Sequence, residues 1–245
     1  MRLTRCFAPP PLRCGAEMLL PAHSAAHLQR VLRARTGALL TLFDGCGGEF
    51  DATIVQIDRR GVRVRISAHH AVERESPLAV TLLQALARGE RMDLIVQKAT
   101  ELAVAAIVAF AGERSVVRLT ADALARRGEH WRAIAISACE QCGRNRIPSI
   151  RIAADLGAAC GAAPADGQRL LLSPQAAHSL PAALGQAAAV TLLIGPEGGF
   201  SVDELATAEH HGFIAARLGP RVLRAETAPL AALATIQALA GDFGP

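Results

Sequence analysis

Tyrosine is absent from the 245-residue sequence, and tryptophan and lysine each occur once, as Trp131 and Lys98. Stacking against a flat ligand therefore falls to phenylalanine, arginine or histidine. The six cysteines show no disulfide-framework spacing, which excludes a disulfide scaffold and fits a reducing cytoplasm. Cys139 and Cys142 form a Cys-x-x-Cys pair, yet both fall on the apolar stripe of a helical segment and no second pair exists, so packing is favoured over redox work or a zinc half-site. The eight histidines have no metal-ligand spacing, and no metal is expected. No apolar stretch approaches the roughly 20 residues of a spanning helix; Ala187–Ile194 is far shorter. No membrane segment is expected. Met1–Pro21 has no apolar signal core and is interrupted by prolines, so a cytoplasmic location is expected.

What is present is an apolar, mildly basic chain, 51% hydrophobic with formal net charge +4. The basic excess is uneven: Arg2, Arg5, Arg13, Arg30, Arg33 and Arg35 face only Glu17 in the first 35 residues. That front end fits an anionic partner such as nucleic acid, and equally a GC-rich genome.

Residues 1–72 read as a small β-barrel-like unit. Strands are expected at Phe50–Ile57 and Val62–Ile66, joined by a hairpin at Asp58–Gly61, with one helix at Ser24–Arg33 capped by Ser24. Glu73–Pro77 is a polar break and the expected domain boundary. Residues 73–245 change to strand, loop, helix. Strands are expected at 78–86, 106–110, 170–172, 190–194 and 214–218, and helical stripes begin at Met92 and Trp131. The stretch 153–165 reads as an alanine-rich connector. Alternating strands and helices argue for an α/β fold with a mostly parallel sheet covered on both faces.

Two glycine-bearing loops carry the chemistry. In Leu192-Leu-Ile-Gly-Pro-Glu-Gly-Gly-Phe-Ser201 an apolar strand runs into a loop and then a helix, whose start Ser201 and Glu204 specify as a capping box. Gly195, Gly198 and Gly199 let a ligand pack on bare backbone. The spacing fits neither a dinucleotide fingerprint nor a phosphate P-loop. In Leu218-Gly-Pro-Arg-Val-Leu-Arg-Ala-Glu-Thr-Ala-Pro-Leu230 the loop is charged, with Arg224 and Glu226 near the start of a closing helix. An isolated Arg-x-Glu is most simply a surface pair. Two such loops at the carboxyl ends of neighbouring strands instead mark the edge where open α/β sheets bind ligands.

These paired loops resemble the cofactor loops of the ribosomal RNA small subunit methyltransferase E family. Met1-Arg-x-x-Arg5-x-Phe7, His27-x-x-x-Val-Leu-Arg33, Phe43-Asp-Gly-x-Gly47, Gln97-Lys-x-x-Glu-Leu102, Glu113-Arg-Ser115 and Ala138-Cys-Glu-Gln-Cys-Gly-Arg-Asn145 extend the resemblance along the chain. The resemblance implies a PUA-like amino-terminal domain and a SPOUT-class, trefoil-knotted methyltransferase domain. It also implies a homodimer, S-adenosylmethionine as cofactor and methylation of uridine N3 in 16S ribosomal RNA. On that reading Leu172, Ile194, Gly195, Leu218 and Leu223 are expected to hold adenine and ribose. Glu197, Gly198, Gly199, Gly219, Thr227 and Ala228 complete the cofactor site. Arg224 is expected to meet a uracil carbonyl, whereas Glu197 and Glu226 either tie the loops or lie near the sulfonium. Arg2, Arg5, Arg30, Arg33, Arg114, Arg144 and Asn145 are the expected RNA contacts. Rival readings are a knotted methyltransferase acting on another RNA, a non-catalytic RNA-binding protein on the same scaffold, and a thiol-redox protein using Cys139 and Cys142.

Overall fold

The computed structural model describes residues 4–115 and 120–244, which divide into two compact units. The first comprises the chain up to Glu75 together with Cys139–Ile147. Its mixed sheet has five strands, β1 (Thr4–Phe7), β2 (Glu17–Leu19), β3 (Leu39–Phe43), β4 (Glu49–Asp58) and β5 (Gly61–His70), in the order β1-β3-β4-β5-β2. The period-two pattern of β4 and β5 buries Phe50, Ala52, Ile54, Val62, Val64 and Ile66 on one face and turns polar residues outward. The short strands β1 and β2 carry too few alternations to be read from sequence.

The helix of this unit differs from expectation. It is α1 (Ala22–Ala26) continuing as a π-helical turn at His27–Val31, and Pro21, not Ser24, is its cap. Ser24 is buried inside the helix, its hydroxyl within 3.1 Å of His23 Nε2 and thus unable to serve the helix start.

A charged network closes this unit. Arg5, only 6% exposed, donates to Glu49 at 2.6 Å, and Arg74 reaches the same carboxylate at 2.8 Å. Arg144 pairs with Glu75 at 2.5 Å, and fully buried Asn145 donates to the Val72 carbonyl. Glu140 accepts from the Phe7 backbone N–H at 2.9 Å, and its burial pushes its carboxyl above the usual range.

The second unit comprises Ser76–Ala138 and the chain from Pro148 onward. Its strands are β6 (Ala79–Ala85), β7 (Val104–Phe110), β8 (Ser149–Ala153), β9 (Gln168–Leu172), β10 (His178–Ser179), β11 (Ala189–Ile194) and β12 (Ile214–Arg217). They form one seven-stranded sheet, ordered β10-β12-β9-β11-β6-β7-β8, in which every pairing is parallel. Its central strands are continuous apolar runs because both faces are covered.

The helices are α2 (Glu90–Glu101), α3 (Ala121–Cys142), α4 (Leu156–Ala162), α5 (Leu180–Ala183), α6 (Val202–His210) and α7 (Thr227–Ala240). Packing pairs α7 with α2 and α5, and α4 with α6. Helix α3 begins at Ala121, well before the expected stripe from Trp131, since its first turns are only half-buried or exposed and show no buried apolar stripe. The alanine-rich connector contains α4, capped by Asp155, whose carboxylate accepts from Ala158 N–H at 2.8 Å.

Trp131 is fully buried, with its indole N–H donating to Asp93. Cys139 is also fully buried, and desolvation pushes its thiol up to about 12, so it is held as an inert thiol. No helix among the described residues is long and apolar enough to cross a membrane.

Hydrogen bonding from Arg74, with Arg5 beside it, lowers the Glu49 carboxyl from 4.5 to about 2. The unfolded chain therefore binds this proton first as pH falls. The stabilisation from Glu49 is present above about 4.5 and is lost as pH drops through about 2. Denaturation midpoints of the full chain should fall between about pH 5 and about pH 3, and Glu49→Gln should make that fall shallower. An unchanged slope in the variant rules out this linkage.

Candidate functional site

Three parallel neighbours, β12, β9 and β11, end on one edge of the sheet, and their loops enclose a cavity of about 310 Å³. Its lining comes from Leu172–Gln175 after β9, Ile194–Phe200 after β11, and Leu218, Gly219, Arg221–Leu223, Ala225 and Ala228 after β12, with Arg114 and Leu205 at its sides. The volume suits a small-molecule ligand, and the walls are mostly aliphatic and backbone.

The β11 loop is shaped by close approach. A Cβ on Gly195 would lie 2.9 Å from the Phe200 ring, and Gly199 has φ +70, where side chains are strained. Beyond it the capping box is fully made: Glu204 N–H donates to Ser201 Oγ at 3.0 Å, and Ser201 N–H donates to the Glu204 carboxylate at 2.8 Å. The buried Glu204 carboxylate also accepts from Glu113 N–H at 3.0 Å, tying the loop after β7 to the start of α6.

Of the residues expected to hold a cofactor, Leu172, Ile194, Gly195, Glu197, Gly198, Gly199, Leu218, Gly219, Leu223 and Ala228 line the cavity, while Thr227 opens α7 beside it. Arg224 lies between two lining residues. Its side chain is exposed, and its carbonyl accepts from Thr227 and Ala228 N–H. Glu197 is not free to face a ligand unopposed: Arg91 donates to it at 2.8 Å. Glu226 lies 3.8 Å from the same guanidinium.

The expected RNA contacts divide. Arg30, Arg33 and Arg114 are exposed, and Arg114 donates to the Gly198 carbonyl as a cavity wall. Arg5, Arg144 and Asn145 are instead internal, buried and committed to the network around Glu49, Glu75 and Val72, so their polar groups serve the fold. Arg2 lies outside the described residues.

Sequence reasoning missed Ser173–Gln175, Phe200, Arg221, Val222 and Arg91. The strand-end rule that found two loops applied equally to the ends of β9 and β6, the signal that locates Ser173–Gln175 and Arg91.

Residues 74–237 match the model of an RNA methyltransferase domain, and residues 20–67 that of an RNA methyltransferase PUA domain. Together with the strand-end cavity, these matches define an RNA methyltransferase. Among curated relatives, ribosomal RNA small subunit methyltransferase E of Buchnera aphidicola is 31% identical over 99% of this chain and 98% of its own length. That of Mycobacterium tuberculosis is 33% identical over 92% and 87%. The solved structure of the Neisseria gonorrhoeae enzyme, bound to S-adenosylmethionine, is 38% identical with TM-score 0.88, covering 99% of this chain and all (100%) of that one. A Legionella pneumophila methyltransferase in complex with the same cofactor is 40% identical with TM-score 0.94 over 99% and 100%. The chain belongs to the ribosomal RNA small subunit methyltransferase E family.

Ser201→Ala removes one cap acceptor and should cost about 1 kcal/mol. Glu204→Ala should cost more, because two loop N–H groups lose their acceptor in a buried place. Denaturant midpoints at unchanged m check the order; equal costs would show that Glu113 gains nothing from the bond.

Proposed function

We propose that the chain methylates N3 of a specific uridine in 16S ribosomal RNA, using S-adenosylmethionine held in the strand-end cavity. The observation that carries the reading is the convergence of the Ile194–Ser201 and Leu218–Ala228 loops on that cavity. The residues fit the cofactor: Gly195, Gly198 and Gly199 line the cavity without side chains, Gly195 and Gly198 lying close against Phe200 and Arg114 and Gly199 facing open space, and Leu172, Ile194, Leu218 and Leu223 supply apolar walls. When bound, the cofactor supplies an electrophilic methyl on a sulfonium.

The chain's own residues do the rest. Gly195 lets the Phe200 ring lie directly against the loop backbone, and the aliphatic lining excludes water, which strengthens electrostatic attraction inside. Arg224, whose guanidinium makes no hydrogen bond or ion pair with the described residues, is assigned to a uracil carbonyl oxygen. Its fixed charge favours the imide that has lost its N3 proton. N3 lies on the pairing edge, so the target uridine must be unpaired or splayed outward. Exposed Arg30 and Arg33 in the amino-terminal domain (1–72) are assigned to backbone phosphates.

Residues 73–245 form the catalytic domain of this reading. Its trefoil knot and homodimeric assembly are part of the proposal, and membership of the family supports both. A cytoplasmic location goes with ribosomal RNA as substrate.

Arg224→Ala should lower turnover by about 10²-fold, the scale for losing one preorganised donor, with little change in cofactor affinity. Nucleoside mass spectrometry of small-subunit RNA from a deletion strain should show 3-methyluridine missing and restored by the wild-type chain. Full restoration by Arg224→Ala at wild-type rate would refute the assigned role, and an unchanged 3-methyluridine level in the deletion strain would refute the reaction.

A further inference from the structure

Arg91 stands in the first turn of α2, far in sequence from either cofactor loop. Its neighbours Met92 and Ile95 are fully buried, so the root of the side chain is fixed by the core. Its guanidinium donates from Nη1 to Glu197 Oε1 at 2.8 Å and places Nε 3.8 Å from Glu226 Oε2. Glu197 belongs to the loop after β11, while Glu226 closes the loop after β12. Glu226 Oε2 is a buried atom with no hydrogen-bond partner among the described residues, and the guanidinium of Arg91 lies 3.8 Å from it. A planar fork with several donors can serve two carboxylates at once; an ammonium serves them less well.

We infer that Arg91 is a positioning residue that clamps the two cofactor loops together through Glu197 and Glu226. The inference rests on the proposed reading of the cavity as the S-adenosylmethionine site. The loop after β11 carries Gly195, Gly198 and Gly199 and has little packing of its own, while the loop after β12 exposes Arg221 and Val222, so an external tie limits how far they part. Without Arg91 the two carboxylates face each other without a cation and the loops separate.

Two effects of removing the charge oppose one another. A more negative cavity attracts a cationic ligand, whereas parted loops lose its contacts. Arg91 and Glu197 are 41% and 31% exposed, so their charge acts only weakly on a ligand across solvent, whereas the direct bond at 2.8 Å acts at contact range and the geometric effect wins.

Calorimetric titration of S-adenosylmethionine into the full chain tests this. Arg91→Ala should bind about tenfold more weakly, within the range of couplings between contacting groups. KM for the cofactor should rise more than kcat falls, and Arg91→Lys should recover part of the loss. In a Glu197→Gln/Glu226→Gln background, Arg91→Ala should add no further loss. Unchanged or tighter binding by Arg91→Ala in the native background, or an equal loss in the glutamine background, overturns the clamp. No saturable uptake by the wild-type chain overturns the cavity reading itself, and the clamp with it; that failure is seen in the parent, not in the variant.

Discussion

Parallel pairing of β9, β11 and β12 is the constraint on which the site depends. Because neighbouring strands run the same way, their carboxyl ends share one edge, and every loop leaving them meets its neighbours there. The loops need no long reach to form a cavity; they need only to avoid filling it. Glycine at 195, 198 and 199 meets that need, and the price is a loop with little packing of its own. The capping box at Ser201 and Glu204, the bond from Glu113 and the Arg91 bridge compensate for that looseness from outside the cavity.

Charge is distributed by the same logic in the two units. In the first, arginines and glutamates are paired inside: Arg5 and Arg74 hold Glu49, and Arg144 holds Glu75. Such groups specify geometry, since removing one partner leaves a costly buried charge. Arg30 and Arg33 remain outside, where a phosphate can meet them. In the second unit, Arg224 sits on an exposed loop beside the cavity, while the carboxylates Glu197 and Glu226 are both drawn to Arg91.

Much of this was legible in the sequence for definite physical reasons. Buried parallel strands leave apolar runs such as Leu192–Ile194, and a strand that ends in glycines leaves an open turn. The start of α6 was written in Ser201 and Glu204. Three things were not legible. Arg5, Arg144 and Asn145 look like surface RNA contacts because linear sequence does not show that Glu49, Glu75 and Val72 approach them. The first turns of α3 lack a buried apolar stripe, and that of α4, Leu156, Ala159 and Cys160, is short and made mostly of small residues, so both read as linker although alanine favours helix. Arg91 lies over 100 residues from Glu197 in the chain, so only the fold brings them together.

The central claim is that bare backbone at the sheet edge receives a methyl-donor nucleoside. Calorimetric titration of S-adenosylmethionine into the wild-type chain and into Gly195→Ala tests it most directly. The variant forces a methyl against the Phe200 ring, 2.9 Å away, so the ring or the loop must shift, and both line the cavity. Saturable binding by the wild type and about tenfold weaker binding by the variant are expected. Equal affinity in both would contradict that claim.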